Sequence, residues 1–167
     1  MTTSHSTRPA CRLFWLALTV LAAVIAALLG PTERTLGENL RLVLLHGSMV
    51  WTGKLVFAGA GLAGLAGLLS RRSAWHNISL ALGRSGLVFW LLYLPMSLVV
   101  QMQNWGGIFW DEPRWRIPFT FGVVALLLQL GLWIMKQPLI SSTTNLVFAA
   151  LLWWQLGGIT NVLHPDS

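Results

Sequence analysis

The chain has a single cysteine, Cys11, only five acidic residues and, at 10%, few charges of either sign. Each shortage excludes something. A lone cysteine rules out an intramolecular disulfide, a cysteine-built zinc cluster and the paired thioether attachment that a C-x-x-C-H run provides. A soluble domain carries about a quarter charged residues, so this composition argues against that class. Hydrophobic residues make up 55% of the chain and the mean hydropathy is positive, which points to lipid instead. The net charge is +6, yet no run of basic residues is longer than two. That pattern argues against nucleic acid and for arginines that set membrane topology.

What the chain does have is apolar runs. About 20 residues span roughly 30 Å of hydrocarbon, and five such stretches are predicted, over 13–29, 43–69, 80–102, 117–135 and 143–162. In lipid the backbone must satisfy its own hydrogen bonds, so each is expected to be a helix. The expected fold is therefore an all-α integral membrane protein, a bundle of about five transmembrane helices forming a single membrane domain over residues 1–167. Arg8 and Arg12 precede the first run and no A-x-A-like cleavage site follows it, which predicts an uncleaved signal-anchor with Cys11 as an ordinary cytoplasmic thiol. Pro118 is expected in the first turn of the fourth span, where a missing N–H costs little. Gly157 and Gly158 are expected to weaken the end of the fifth. With the N-terminus inside, the inner segments carry Arg8, Arg12, Arg71, Arg72, Arg84 and Lys136, against Arg34, Arg41, Arg114 and Arg116 outside. This basic bias predicts an N-in, C-out chain.

That orientation gathers three unusual features on the outer face: His46, His164 and the aromatic loop 104–116. "GAGLAGLAGLL", Gly59 to Leu69, is by contrast a small-residue stripe for close helix packing. Without a Lys-Ser/Thr ending it holds no phosphate.

Ten tryptophans are present, and the aromatic belt of a membrane interface accounts for Trp15, Trp51, Trp75, Trp90 and Trp133 without further chemistry. The set Trp105, Phe109, Trp110 and Trp115 comes with Gly106, Gly107, Asp111 and Arg114. Rings offer a flat apolar surface, glycines let a backbone approach closely, and arginine meets carboxylates in a bidentate fork. A belt explains these rings as well as a planar, carboxylate-bearing ligand does. His46 interrupts an apolar run, where an ionisable side chain marks function by default. His164 sits in "TNVLHPDS". Neutral imidazole ligates haem iron, and two on separate helices would take opposite axial positions. The plainer reading has His46 bonding a neighbouring helix and His164 solvated, as His5 and His76 are expected to be.

"NLRLVLLHGSMVW", "NWGGIFWDEPR" and then "WW" with "TNVLHP" together resemble the haem-handling membrane proteins of cytochrome c maturation, the family defined by the tryptophan-rich WWD motif. The resemblance covers about residues 39–164. It implies that His46 and His164 are the axial metal ligands, and that Trp105, Gly106, Trp110, Asp111 and Arg114 belong to a loop cradling non-covalent haem b. Ile108 and Phe109 stand where the pattern has tryptophans, and Trp153-Trp154 lie further from His164 than the pattern has them.

The function so implied is haem transport or presentation at the outer face of a bacterial inner (plasma) membrane, on its periplasmic side. The implied partners are haem, other membrane proteins of cytochrome c maturation, and a soluble haem chaperone or apocytochrome. The expectation is a carrier and not an enzyme, because no nucleophile–base pair or acid dyad stands outside the spans. Two rivals remain: a b-type haem electron-transfer subunit, and a haem-free structural subunit of a membrane complex. Arg41 and Arg116 are further candidates for the propionates, and Gln101 and Gln103 for a ligand contact or a helix cap. Asp111 and Glu112 are expected to pair with Arg114 and Arg116 or to cap the fourth span. Lys54 falls on the face of His46 about 12 Å deeper, with no acid within the spans to pair it.

Overall fold

The computed structural model describes residues 39–159 together with residues 14, 18–19, 21–22, 24–26, 29, 34 and 37. Among the described residues four long helices follow in chain order, α1 (Asn39–Ser70), α2 (Ser73–Trp105), α3 (Pro113–Met135) and α4 (Pro138–Gly157), and there is no strand. Each is long and apolar enough to cross a membrane. Of the expected first span, residues 14, 18–19, 21–22 and 24–26 are helical; the rest lies outside the described residues. The chain divides into two compact units, residues 1–45 and 46–167. In the first, Gly37 has a positive φ of 53° and its carbonyl accepts from the Leu40 N–H. The second contains α1 from His46 onward, α2, α3, α4 and the aromatic loop.

Helix ends depart from the apolar runs for local reasons. α2 starts at Ser73, seven residues before the expected 80, because its first two turns carry polar residues that a hydropathy pattern reads as loop. α3 starts at Pro113, not 117. Glu112 is its N-cap and Pro113 takes the first position, where proline's missing N–H is one the helix would leave unpaired. Pro118 is therefore inside the helix, a correction to its expected place. α4 ends at Gly157, with Gly158 as cap, so the glycine pair stops the helix outright instead of weakening a longer one.

The glycines of α1 set the packing. Gly53 lies against Trp90, Phe57 against Gly86, Gly64 against Ser79 and Gly67 against His76. Steps of four, seven and three residues forward on α1 meet equal steps back on α2, the mark of a straight antiparallel pair. On the same helix, Gly61 approaches Ala149 and Gly64 approaches the Ser142 carbonyl of α4. Without side chains at these positions three backbones come together, as small-residue interfaces allow in lipid. Phe57, Trp90, Tyr93, Leu94, Trp115, Phe148 and Leu152 form the buried core. Trp90, expected at an interface, is 0% exposed, and its indole N–H donates to the Pro118 carbonyl at 2.9 Å.

A polar layer crosses this apolar bundle. Asn145 of α4 donates to the Ser79 carbonyl (3.0 Å) and to Ser79 Oγ (3.1 Å), and its Oδ1 accepts from Gln129 Nε2 of α3 (3.0 Å). Ser79 Oγ in turn donates to the Ala60 carbonyl of α1 at 2.8 Å. All four helices are thus joined by one chain of hydrogen bonds. Gly83 makes room for it, since a Cβ there would lie 2.8 Å from both the Asn145 and Gln129 amides.

Candidate functional site

The aromatic segment opens where α2 ends. Trp105 is the last helical residue, and Gly106 caps it in the left-handed region (φ 69°), its N–H returning to the Met102 carbonyl. Glycine suits that backbone because a Cβ there clashes with the following carbonyl. The loop proper is residues 106–112, shorter than the expected 104–116, since Trp105 and residues 113–116 are helical.

Side chains at both ends hold the loop. Gln101, buried in the last turns of α2, accepts the Phe109 N–H through Oε1 at 3.0 Å. Glu112 caps α3, accepting the Arg114 N–H at 3.4 Å. Of the two roles expected for Glu112, the cap is the one made. Its other oxygen, Oε2, is buried with no hydrogen-bond partner among the described residues. Gln101 is not the cap of α2, which is Gly106; its side chain pins the loop backbone.

The rings divide into two kinds. Trp115 is only 4% exposed and belongs to the core, so it is not part of an open surface as expected. Its place as third residue of α3 turns it inward. Trp110 is 61% exposed and stands edge-on to Trp115, their centroids 6.0 Å apart. Phe109 is exposed beside it, and Trp105 and Arg114 are half-buried. Asp111 and Arg116 are exposed. A Cβ on Gly106 would meet nothing within 4 Å, so the loop surface is open there. A rigid inner ring thus backs an exposed outer one, with a guanidinium on the same short segment.

His46 is half-buried on α1, its ring tilted against Tyr93 of α2 at 5.2 Å. One further step of seven along the α1–α2 register sets it level with Ser97. From there to Trp105 is eight residues, about 12 Å of helix. His46 therefore lies in the same half of the bundle as the loop, two turns in from it. His164, the second expected ligand, lies outside the described residues, as do His5 and Cys11.

His76 and Lys54 both depart from expectation. His76, expected to be solvated, is 6% exposed and shares a 2.6 Å hydrogen bond through Nδ1 with Ser142 Oγ. It is a tie between α2 and α4. Lys54 has partners after all: Nζ lies over the rings of Trp51 (4.2 Å) and Trp153 (4.6 Å). In a span without acids, ring faces are the available counter-charge. The Trp153 N–H also donates to the Lys54 carbonyl. The Ser79–Asn145–Gln129 layer has no counterpart among the sequence expectations. Its signal is present, because a lone Asn or Gln inside an apolar run seeks a partner on a neighbouring helix.

Comparison with family models, with characterised proteins and with solved structures finds no match to this chain.

Proposed function

We propose that this membrane protein binds haem at the end of the bundle that carries the 106–112 loop, as a carrier for cytochrome c assembly and not as an enzyme. The observation that carries the reading is the exposed Trp110, backed by buried Trp115 and set four residues from Arg114 on a loop pinned by Gln101. An exposed ring on a fixed support is suited to a flat apolar ligand; a lipid-belt tryptophan needs no such support. Phe109 and Trp105 widen the surface, Gly106 leaves it open, and Arg114 stands ready for a propionate. Asp111, exposed beside Trp110, limits how closely a second carboxylate approaches. His46 supplies one axial imidazole from α1 and His164 the other.

In this reading haem is cargo. The rings and the arginine bind its plane and its propionates, and the two imidazoles orient it and exclude other ligands from the iron. The bundle has five spans, N-in and C-out, and its site faces the periplasmic side of a bacterial inner membrane. A soluble haem chaperone or apocytochrome, reached with other maturation proteins, takes the cargo.

The test is the visible spectrum of protein purified in mild detergent and titrated with hemin. A saturable low-spin Soret band that is lost to an apo-acceptor supports the carrier. A band retained through redox cycling overturns it in favour of an electron-transfer subunit. A preparation that stays colourless with hemin removes haem altogether.

A further inference from the structure

At the end of the bundle away from the loop, a cleft of about 300 Å³ opens between α2, α3 and the start of α4. Its walls include His76, Asn77, Arg84, Trp133, Lys136 and Ser141. It carries two cations and no acid. The acids of the described residues, Asp111 and Glu112, both belong to the opposite end.

Two features set this cleft apart from topology-setting charge. Arg84 is eleven residues into α2 and shares the cleft with Leu132 and Trp133, one turn before α3 ends. It therefore sits at the boundary of the hydrocarbon, where a guanidinium needs an anion or water. Lys136 holds a left-handed backbone (φ 51°), its N–H capping the Leu132 carbonyl, as Arg71 does at the end of α1 (φ 54°); only Lys136 of the two lines the cleft. Second, α4 begins in the wall of the cleft, and its N-cap Gln137 makes no side-chain cap. The partial positive charge of that helix end adds to the two cations. His76, held by Ser142, forms a fixed polar wall.

We propose that this cleft binds the phosphate of an anionic phospholipid headgroup. Arg84 and Lys136 pair with the phosphate, while the exposed Asn77 offers a hydrogen bond at its rim. Trp133, exposed on the outer side of α3, lies where the acyl chains would run. Basic pockets between transmembrane helices take anionic headgroups on the same physical grounds. The apolar wall of Leu80, Leu132 and Trp133 selects lipid over free phosphate, which has nothing to place there. The lipid site is independent of the haem reading, for it uses none of the same residues.

Native mass spectrometry of the full chain, released from mixed micelles of phosphatidylglycerol and phosphatidylcholine, tests it. Preferential retention of one phosphatidylglycerol is expected, with loss of roughly tenfold in Arg84→Gln/Lys136→Gly. Glycine is chosen at 136 because it relieves the backbone, so the variant's fold is not at stake there. Arg71→Gln/Arg72→Gln, which removes cations at the same end outside the cleft, should retain the lipid. Equal retention of both lipids by the wild-type protein overturns the proposal, and so does an equal loss in the two double variants. Inorganic phosphate that displaces phosphatidylglycerol at millimolar concentration also overturns it, because it identifies a soluble anion as the ligand.

Discussion

Gly64 of α1 touches α4 so closely that a Cβ on it would lie 2.6 Å from the Ser142 carbonyl oxygen. That oxygen is backbone and has nowhere to go. Gly64→Ala is therefore expected to push the two helices apart at a cost of about 1–3 kcal/mol, as overpacking does. Gly131 has nothing within 4 Å, and Gly131→Ala should gain up to about 1 kcal/mol from helix propensity. Thermal unfolding in one detergent compares them. A Gly64 variant as stable as the Gly131 variant would show that α1 does not pack there.

Asn145 joins Ser79 and Gln129, so Asn145→Ala breaks bonds on two helices at once. Interhelical hydrogen bonds in lipid average about 0.6 kcal/mol each, which predicts a loss of about 1–2 kcal/mol. The exposed Thr143, two residues earlier on α4, serves as control: Thr143→Ala should stay within about 0.5 kcal/mol. Denaturation by sodium dodecyl sulfate reads the difference. Equal stability of the two variants would mean that the layer contributes nothing.

Much of this fold is legible in the sequence because hydropathy and length say where a span is. Four of the expected spans each fall on a helix, and the glycine stripe of α1 is the close-packed seam its spacing indicates. What hydropathy does not register is polarity satisfied inside the bundle. His76 and Asn145 look alike to such a pattern, as interruptions or ends, and only the facing helix reveals Ser142 for one and Ser79 for the other. The loop shows the same limit. Its rings are visible in the sequence, but that Trp115 turns inward and Trp110 outward follows from Glu112 starting α3, which a four-residue error at the helix start conceals.

The histidines offer a sharper contrast. His46→Ala should shift or abolish the hemin Soret band with little change in stability, since the ring is half-buried against Tyr93. His164→Ala should do the same. His76→Ala should leave the spectrum intact and cost about 1–3 kcal/mol, because the fully buried Ser142 hydroxyl loses its imidazole partner. Absorbance and thermal unfolding on the same samples separate the two effects. Identical spectra for His46→Ala and His76→Ala would remove His46 as a ligand.

Gln101 gives the loop its own test. Its side-chain carbonyl accepts the Phe109 N–H, and the side chain is buried. Gln101→Leu keeps the volume and removes the acceptor, leaving one backbone donor to find water. Losing a single bond of this kind costs about 1 kcal/mol locally, too little to unfold the packed long helices but enough to free a seven-residue loop. Amide exchange over residues 106–112 should then quicken several-fold while α3 and α4 stay protected. If those rings bind haem, hemin affinity should fall about tenfold, because a loosened platform must be ordered again on binding. Met102→Leu, one residue on and exposed, should change neither. Faster exchange with unaltered hemin affinity would show that the loop is structural, and unaltered exchange would show that Gln101 does not hold it.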